Sequence, residues 1–235
     1  MMFRRSLLIG AAACLAGPAR ATGTFPYAPV HSFAAWRSGQ RIGTHALAFA
    51  ETGGQRQVTT TIDFAVRAVG LVVYRYRHVC TETLSTGALA ALTSQTDDDG
   101  VAAAVEARAG GGGLAVRRRN TKVVVKAGGS PDEAAQQGGW TSETLPADLL
   151  PSTHWNIEQV RRGALLNSQT GTIAKVTIVP GPRETVRTVG SSLEASRYTY
   201  TGDIRMNQWF DERGRWVKSA FQVFDGSTIE YILQE

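Results

Sequence analysis

Alternation of apolar and polar residues between evenly spaced turn signals is the feature that most restricts what this chain can become. In Val58-Thr59-Thr60-Thr61-Ile62-Asp63-Phe64-Ala65-Val66, residues Val58, Ile62, Phe64 and Val66 share one face, while Thr59, Thr61 and Asp63 share the other. Successive side chains of a strand point to opposite faces, so the pattern describes an antiparallel strand with one face buried and one wet. Ile229-Glu230-Tyr231-Ile232-Leu233 repeats it near the C-terminal end. Between such runs stand Ser38-Gly39, Gly53-Gly54, Gly70, Thr86-Gly87, Asp99-Gly100, Gly110 to Gly113, Arg119-Asn120, Gly202-Asp203, Gly214 and Asp225-Gly226. Asp225-Gly226 is the most specific, because a type I′ hairpin needs positive φ at both central positions and Asp-Gly tolerates it. Glu212-Arg213-Gly214 predicts a hairpin with glycine in the left-handed position. The spacing predicts an all-β fold of about ten to twelve strands, arranged as a curved antiparallel sheet or an incompletely closed barrel.

One region departs from this pattern. From Ala127 to Gly163 the chain is rich in Gly, Pro, Ser, Gln and acids. Ser130-Pro131-Asp132-Glu133 reads as a helix start with proline in its first turn. Asn156 is placed to cap a second short turn through Ile157-Glu158-Gln159-Val160. The expectation is one or two short helices within 127–163, separating an N-terminal meander over 30–126 from a C-terminal one over 164–235. Each half has an apolar face left to cover, which argues for one β domain over 22–235.

Residues 1–21 read as an export signal. Arg4-Arg5 opens a basic segment, Ser6 to Leu15 forms a short apolar core, and Pro18-Ala19-Arg20-Ala21 ends in an Ala-x-Ala cleavage site. The core falls well below the ~20 residues needed to span a bilayer, so it serves as a removable signal cut after Ala21. No other apolar stretch is long enough to cross a membrane as a helix. Phe3-Arg4-Arg5-Ser6-Leu7-Leu8 resembles a twin-arginine signal, and the Gly- and Ala-diluted core with Arg20 beside the cut suits that route better than general secretion. A competing reading makes Cys14 a lipoprotein cysteine, although Ala11-Ala12-Ala13 lacks the usual bulky residue before it. The expected destination is the periplasm or the exterior.

The signal also carries part of the charge. The chain has 25 basic and 20 acidic residues; without Arg4, Arg5 and Arg20 the balance is 22 against 20, or +2. A nucleic-acid binder needs a larger, clustered basic excess, so that class is set aside. Loss of Cys14 leaves Cys80 alone, which excludes an intrachain disulfide.

The most informative run for chemistry is Leu71 to Leu84. One face carries Val72, Tyr74, Tyr76, His78, Cys80, Glu82 and Leu84; the other carries Arg75 and Arg77, which marks it as the outer face. His78, Cys80 and Glu82 therefore form a polar row on the inner face, about 7 Å apart in succession. Three readings compete: a strand leaving the core with its polar groups bonded to neighbours or water, a polar lining that orients a ligand in an apolar cavity, or a catalytic or metal site. Cys80 with His154 and Asn156 offers the residue types of a cysteine hydrolase, and His78, Glu82 and His154 those of a zinc site. Neither set has a diagnostic spacing. Leu150-Pro151-Ser152-Thr153-His154-Trp155-Asn156 is the second cluster. Its Trp155 would either plug one end of the sheet or, with His154 and Asn156, close over a ligand. Tyr74, Tyr76, His78, Cys80, Glu82, His154, Trp155 and Asn156 are thus the candidate ligand-binding residues.

Arg117-Arg118-Arg119, Lys122 and Lys126 form a run without an acid, suited to anionic head groups or polymers, or simply to a solvated hairpin edge that deters aggregation. His31 and His45 fall on expected strands and carry no functional expectation. No phosphate loop, nucleophile elbow or zinc-binding helix motif occurs, so no cofactor and no metal are expected. The leading functional expectation is a non-enzymatic binding or carrier module for an apolar or amphipathic small molecule or lipid. An envelope assembly protein acting through its surface stands second, and a cysteine- or metal-dependent hydrolase is the remote third.

Ile42-Gly43-Thr44-His45, Cys80-Thr81-Glu82, Leu150 to Asn156, Leu166-Asn167-Ser168-Gln169-Thr170-Gly171, Gly214-Arg215-Trp216-Val217 and Asp225-Gly226-Ser227-Thr228-Ile229 occur in this order. Together they resemble DUF6134, a family of exported proteobacterial proteins defined as a domain of unknown function. That resemblance implies no activity and no catalytic residues. A looser likeness, in architecture and export alone, runs to periplasmic lipoprotein carriers whose curved sheet cups apolar ligands.

Overall fold

Each apolar–polar run becomes a strand, and each glycine-bearing break becomes a reversal of the chain. The computed structural model describes residues 25–123, 135–137 and 139–234; the export signal, Cys14 and the expected helix start at Ser130-Pro131 lie outside them. The first seven strands are β1 (Val30–Arg37), β2 (Gln40–Thr52), β3 (Gln55–Ala68), β4 (Leu71–Ser85), β5 (Ala88–Asp98), β6 (Val101–Gly110) and β7 (Gly113–Val123). Two short ones, β8 (Ala135–Gln137) and β9 (Thr141–Leu145), both pair with β7. The second half contributes β10 (Ala164–Leu166), β11 (Ile173–Arg187), β12 (Ser192–Gly202), β13 (Met206–Asp211), β14 (Trp216–Gln222) and β15 (Thr228–Leu233).

All fifteen belong to one sheet, and the meanders of the two halves are joined where β15 pairs with β1, Phe33 opposite Leu233. The count exceeds the expected ten to twelve because the Gly- and Gln-rich interruption contributes β8 and β9 to the β7 edge and the three-residue β10 follows it. Its polar residues suit a strand whose outer face is wet as well as they suit a loop. Among the described residues the interruption holds one short 3-10 helix, Ile157–Arg161, capped as expected by Asn156, whose Oδ1 accepts from Glu158 N at 3.0 Å.

The first five hairpins have positive φ at both central residues: Ser38-Gly39, Gly53-Gly54, Val69-Gly70, Thr86-Gly87 and Asp99-Gly100. This is the twist that matches two-residue loops to their strands. Asp225-Gly226 departs from its expected type I′ turn. Only Gly226 has positive φ, and Val223 N bonds Ser227 O across a longer loop. The Asp225 carboxylate bonds Ser227 N and Oγ there, a side-chain turn that removes the need for a left-handed Asp. Arg119-Asn120 is likewise no turn: both residues lie within β7, opposite Ala104 and Ala103. Arg117 to Lys122 of the basic run therefore lie on a strand near the sheet edge, while Lys126 lies outside the described residues. Acids on adjacent strands answer it, with Arg117 paired to Glu106 and Arg118 to Glu143.

The sheet coils upon itself without hydrogen-bonded closure between its two end strands. Gly43 helps it bend: a Cβ there would lie 2.1 Å from Asp63 O and 2.4 Å from Phe64 Cβ, so only glycine permits β3 this close to β2. The chain from Leu149 to Thr172 fills the seam. Pro151 bridges to Leu166, Ser94 Oγ donates to Ser168 O at 2.5 Å, and Arg118 Nη1 donates to Gly171 O at 3.1 Å. Inside the coil, Phe33, Leu47, Phe64, Phe210, Trp216, Tyr231 and Leu233 form the main core. A second cluster gathers Cys80, Leu92, Val105, Leu114 and Val116 from β4 to β7 against Leu149 and Leu166 of the seam.

Candidate ligand-binding cavity

Residues along β4 alternate as the arginines required. Tyr76, His78, Cys80, Glu82 and Leu84 are buried, while Arg75, Arg77 and Val79 are exposed. The polar row does not leave the core; it lies within it. The segment Ser152 to Trp155 crosses the interior beside this row, and its own alternation splits it between two environments.

Thr153 and Trp155 turn to Glu82. The Thr153 hydroxyl and Trp155 Nε1, the latter at 3.0 Å, both donate to Glu82 Oε1. Burial pushes the Glu82 carboxyl up to about 7, and these two hydrogen bonds only partly oppose the rise. Trp155 is 6% exposed and packs with Phe25, Tyr27 and Phe49. The Tyr27 hydroxyl donates to Trp155 O at 2.5 Å and accepts from Trp216 N at 2.8 Å. Trp155 thereby plugs this end of the coil, with a second cavity of about 630 Å³ on its outer side between Phe25, Tyr27 and Leu84, and Asn156 serves as a helix cap.

Ser152 and His154 turn the other way, into a cavity of about 860 Å³. Ile62, Phe64, Tyr74, Tyr76, Phe221, Ile229 and Tyr231 wall it. Tyr76 stacks on Phe64 with ring centroids 5.2 Å apart, and the Tyr74 hydroxyl donates to Asp98 at 2.6 Å. The charged residues along it are Arg37, Asp98, Asp99, Asp203, Arg205 and Asp225, all at the end of a strand or in a turn, so they ring the mouth. Beyond this ring the hairpin tips carry Val69, Leu71, Val73 and Phe224, each at least half exposed.

His154 sits at the inner end of the cavity at φ 72, against His45 and Trp216 at 5.7 and 5.1 Å between ring centroids. Gln208 Nε2 meets its Nδ1 at 2.5 Å; with the amide donating, the proton of the neutral ring lies on Nε2. Burial first, and then His78, holds His154 down at about 4. His78, bonded through Nδ1 to Thr96 Oγ1 at 2.8 Å, is held at about 4 by burial alone. His45 is fully buried and lowered well below the ordinary imidazole range by burial and the surrounding histidines.

The eight expected residues therefore do not form one site. Tyr74, Tyr76 and His154 meet at the cavity. His78 lies beside it in the core, Glu82 and Trp155 plug the far end, and Asn156 caps the helix. Cys80 has no exposure, and burial, then Glu82, raises its thiol well above its ordinary value. Among the described residues no three His, Cys, Asp or Glu side chains are grouped to hold a metal ion. No helix among them is long and apolar enough to cross a membrane. Sequence reasoning missed Phe64, Phe221, Ile229 and Tyr231 as cavity walls and His45 as a neighbour of His154. The signal for them was the same alternation, read on β2, β3, β14 and β15 together with β4.

The chain matches the family model DUF6134, a domain of unknown function, over residues 33–234, and it belongs to that family. Among solved structures it is similar to the crystal structure of a β-barrel-like protein of domain of unknown function DUF1849 from Brucella abortus. The two share 10% identity at a TM-score of 0.55, over 88% of this chain and 94% of that one, a likeness of fold. No curated protein matches.

Proposed function

We propose that this member of the DUF6134 family is a non-enzymatic binding or carrier module that holds an apolar or amphipathic molecule in the coil of its sheet. The cavity carries the reading. Its volume falls in the range of about 300–1,000 Å³ common for small-molecule sites, and apolar and aromatic side chains outnumber the polar ones along it, which are Ser152, His154, Asn167 and Gln169 besides the charged residues of the mouth. The chemistry nearby supports binding over catalysis. Cys80 lies buried in the second core cluster, and the one group bonded to His154 Nδ1 is the amide of Gln208. A nucleophile needs a lowered pKa and access to substrate, and burial here works against both. Native mass spectrometry of the purified protein tests the proposal: a co-purified small molecule, released on unfolding, is the expected result. Repeated absence of such a species, with no affinity for lipid probes, would refute it.

A second reading, an envelope interaction protein acting through its surface, is favoured by the exposed Val69, Leu71, Val73 and Phe224 at the mouth. Substituting Val69 and Leu71, which do not line the cavity, by serine would weaken partner recruitment under that reading and leave small-molecule binding intact under the first.

Either role is proposed to operate outside the cytoplasm, after twin-arginine export and cleavage behind Ala21. A mature N-terminus at Thr22 by mass spectrometry is expected. Arg4-Arg5→Lys-Lys should stop export by that route, whereas general secretion would tolerate it. A lipid on Cys14 would overturn both statements.

A further inference from the structure

Among the buried polar groups of the described residues with nothing to bond, one belongs to the cavity wall. The Tyr76 hydroxyl is buried at the cavity wall without a partner, and its ring is held by the stack on Phe64. Outside the cavity lining, Gln208 Oε1, both ring nitrogens of His45 and Thr60 Oγ1 are buried and unpartnered as well. Gln208 is tied to His154, and His45 packs on the same ring. A buried hydroxyl or amide left unpaired is costly, so such groups collect where water or a ligand completes them.

The geometry points to the class of molecule that does so: its buried end is an uncharged hydrogen-bonding group, such as a hydroxyl or amide, met by the Tyr76 hydroxyl and the His154 ring, with its apolar body between Phe64, Phe221 and Tyr231. This rests on the carrier reading and adds the chemistry of the head group.

The surroundings of this end favour an uncharged group. Every charged residue of the cavity stands at the mouth, in a strand end or a turn, where water screens it. The one that stands opposite Tyr76, Asp98 of β5, already accepts from the Tyr74 hydroxyl. His154 and His78 stay neutral there, each held at about 4 by burial. The buried Glu82, at about 7, is already occupied by Thr153 and Trp155. A carboxylate or ammonium drawn into this interior would lose its hydration without gaining a partner, whereas a hydroxyl can both accept and donate.

The test uses the purified protein, the fluorescent apolar probe N-phenyl-1-naphthylamine, and three competitors with the same ten-carbon chain: decanol, decanoate and decylammonium. The expected result is that the probe binds and decanol displaces it at a concentration roughly tenfold or more below that of either ion. In Tyr76→Phe, which keeps the ring stack, decanol should weaken roughly fivefold to tenfold, the worth of one hydrogen bond, relative to the affinity of the probe for the same variant. The same variant should melt no lower than the parent, because the hydroxyl it removes is unpaired, so weaker binding would not reflect lost folding. Equal displacement by all three competitors, preference for an ion, or decanol affinity unaltered in Tyr76→Phe would overturn the head-group inference and leave the carrier reading standing. Failure of both probe and decanol to bind would overturn both.

Discussion

Replacing Glu82 by Gln isolates one buried carboxyl and converts it into a measurable dependence of stability on pH. Glu82 is 1% exposed and accepts from Thr153 and Trp155, and its carboxyl is raised from 4.5 to about 7, chiefly by burial. In the unfolded chain it ionises near 4.5, so between there and about 7 the folded state binds more protons than the unfolded one. Stability must then fall as pH rises through that window and level off above it. At ~1.36 kcal/mol per tenfold change in proton affinity, the full loss is roughly 3 kcal/mol. For a chain of this size that corresponds to roughly 6–12 °C in melting temperature. His78 and His154 act in the opposite sense: held at about 4, they destabilise the fold as pH drops below 6.5. Both are present in parent and variant, so they cancel in the difference. Gln keeps an oxygen acceptor and does not ionise. The amide adds a donor whose cost is constant with pH, so the prediction concerns slope alone. Urea unfolding of both proteins at intervals from pH 5 to pH 8 should show Glu82→Gln gaining on the parent by roughly 3 kcal/mol across the range. Parallel curves would refute the burial argument and place the carboxyl in contact with water.

Trp155→Ala should cost roughly 3–5 kcal/mol by denaturant midpoint, since it empties the plugged end and removes a donor to Glu82. The Cys80 thiol, fully buried and raised, should resist Ellman's reagent in the native protein at neutral pH and react at once in urea; rapid native labelling would revive the Cys80–His154 hydrolase. Val69 holds a β-branched side chain at φ 50 in full exposure, so Val69→Asn should raise stability by ~1 kcal/mol, read as a higher melting temperature.

Much of this architecture is readable from local pattern. Alternation assigns Tyr76, His78, Cys80 and Glu82 to the inner face of β4, because the two-residue repeat of a strand is a property of its backbone. The glycines of the first five hairpins mark reversals for an equally local reason, the need for positive φ. Local pattern fails where context decides. A polar interruption adds β8 and β9 to an edge, and Arg119-Asn120 continues a strand because Ala104 and Ala103 of β6 lie opposite.

The candidate site divides along the same line. That Tyr74, Tyr76 and His154 belong with inward-facing polar groups follows from sequence. That His154 turns to the cavity while Trp155, the next residue, turns to Glu82 follows from the path of Ser152 to Trp155 through the coil. Nor does any spacing along the chain announce that His45 on β2 lies against His154, or that Gln208 on β13 meets the same ring. A strand's face is set by its own backbone period, so the sequence alone determined which side chains point inward. Which of them meet, and whether they enclose a cavity or a plug, depends on how fifteen strands curl and on where the seam segment crosses, and only the long-range pairing of the tertiary structure decides that.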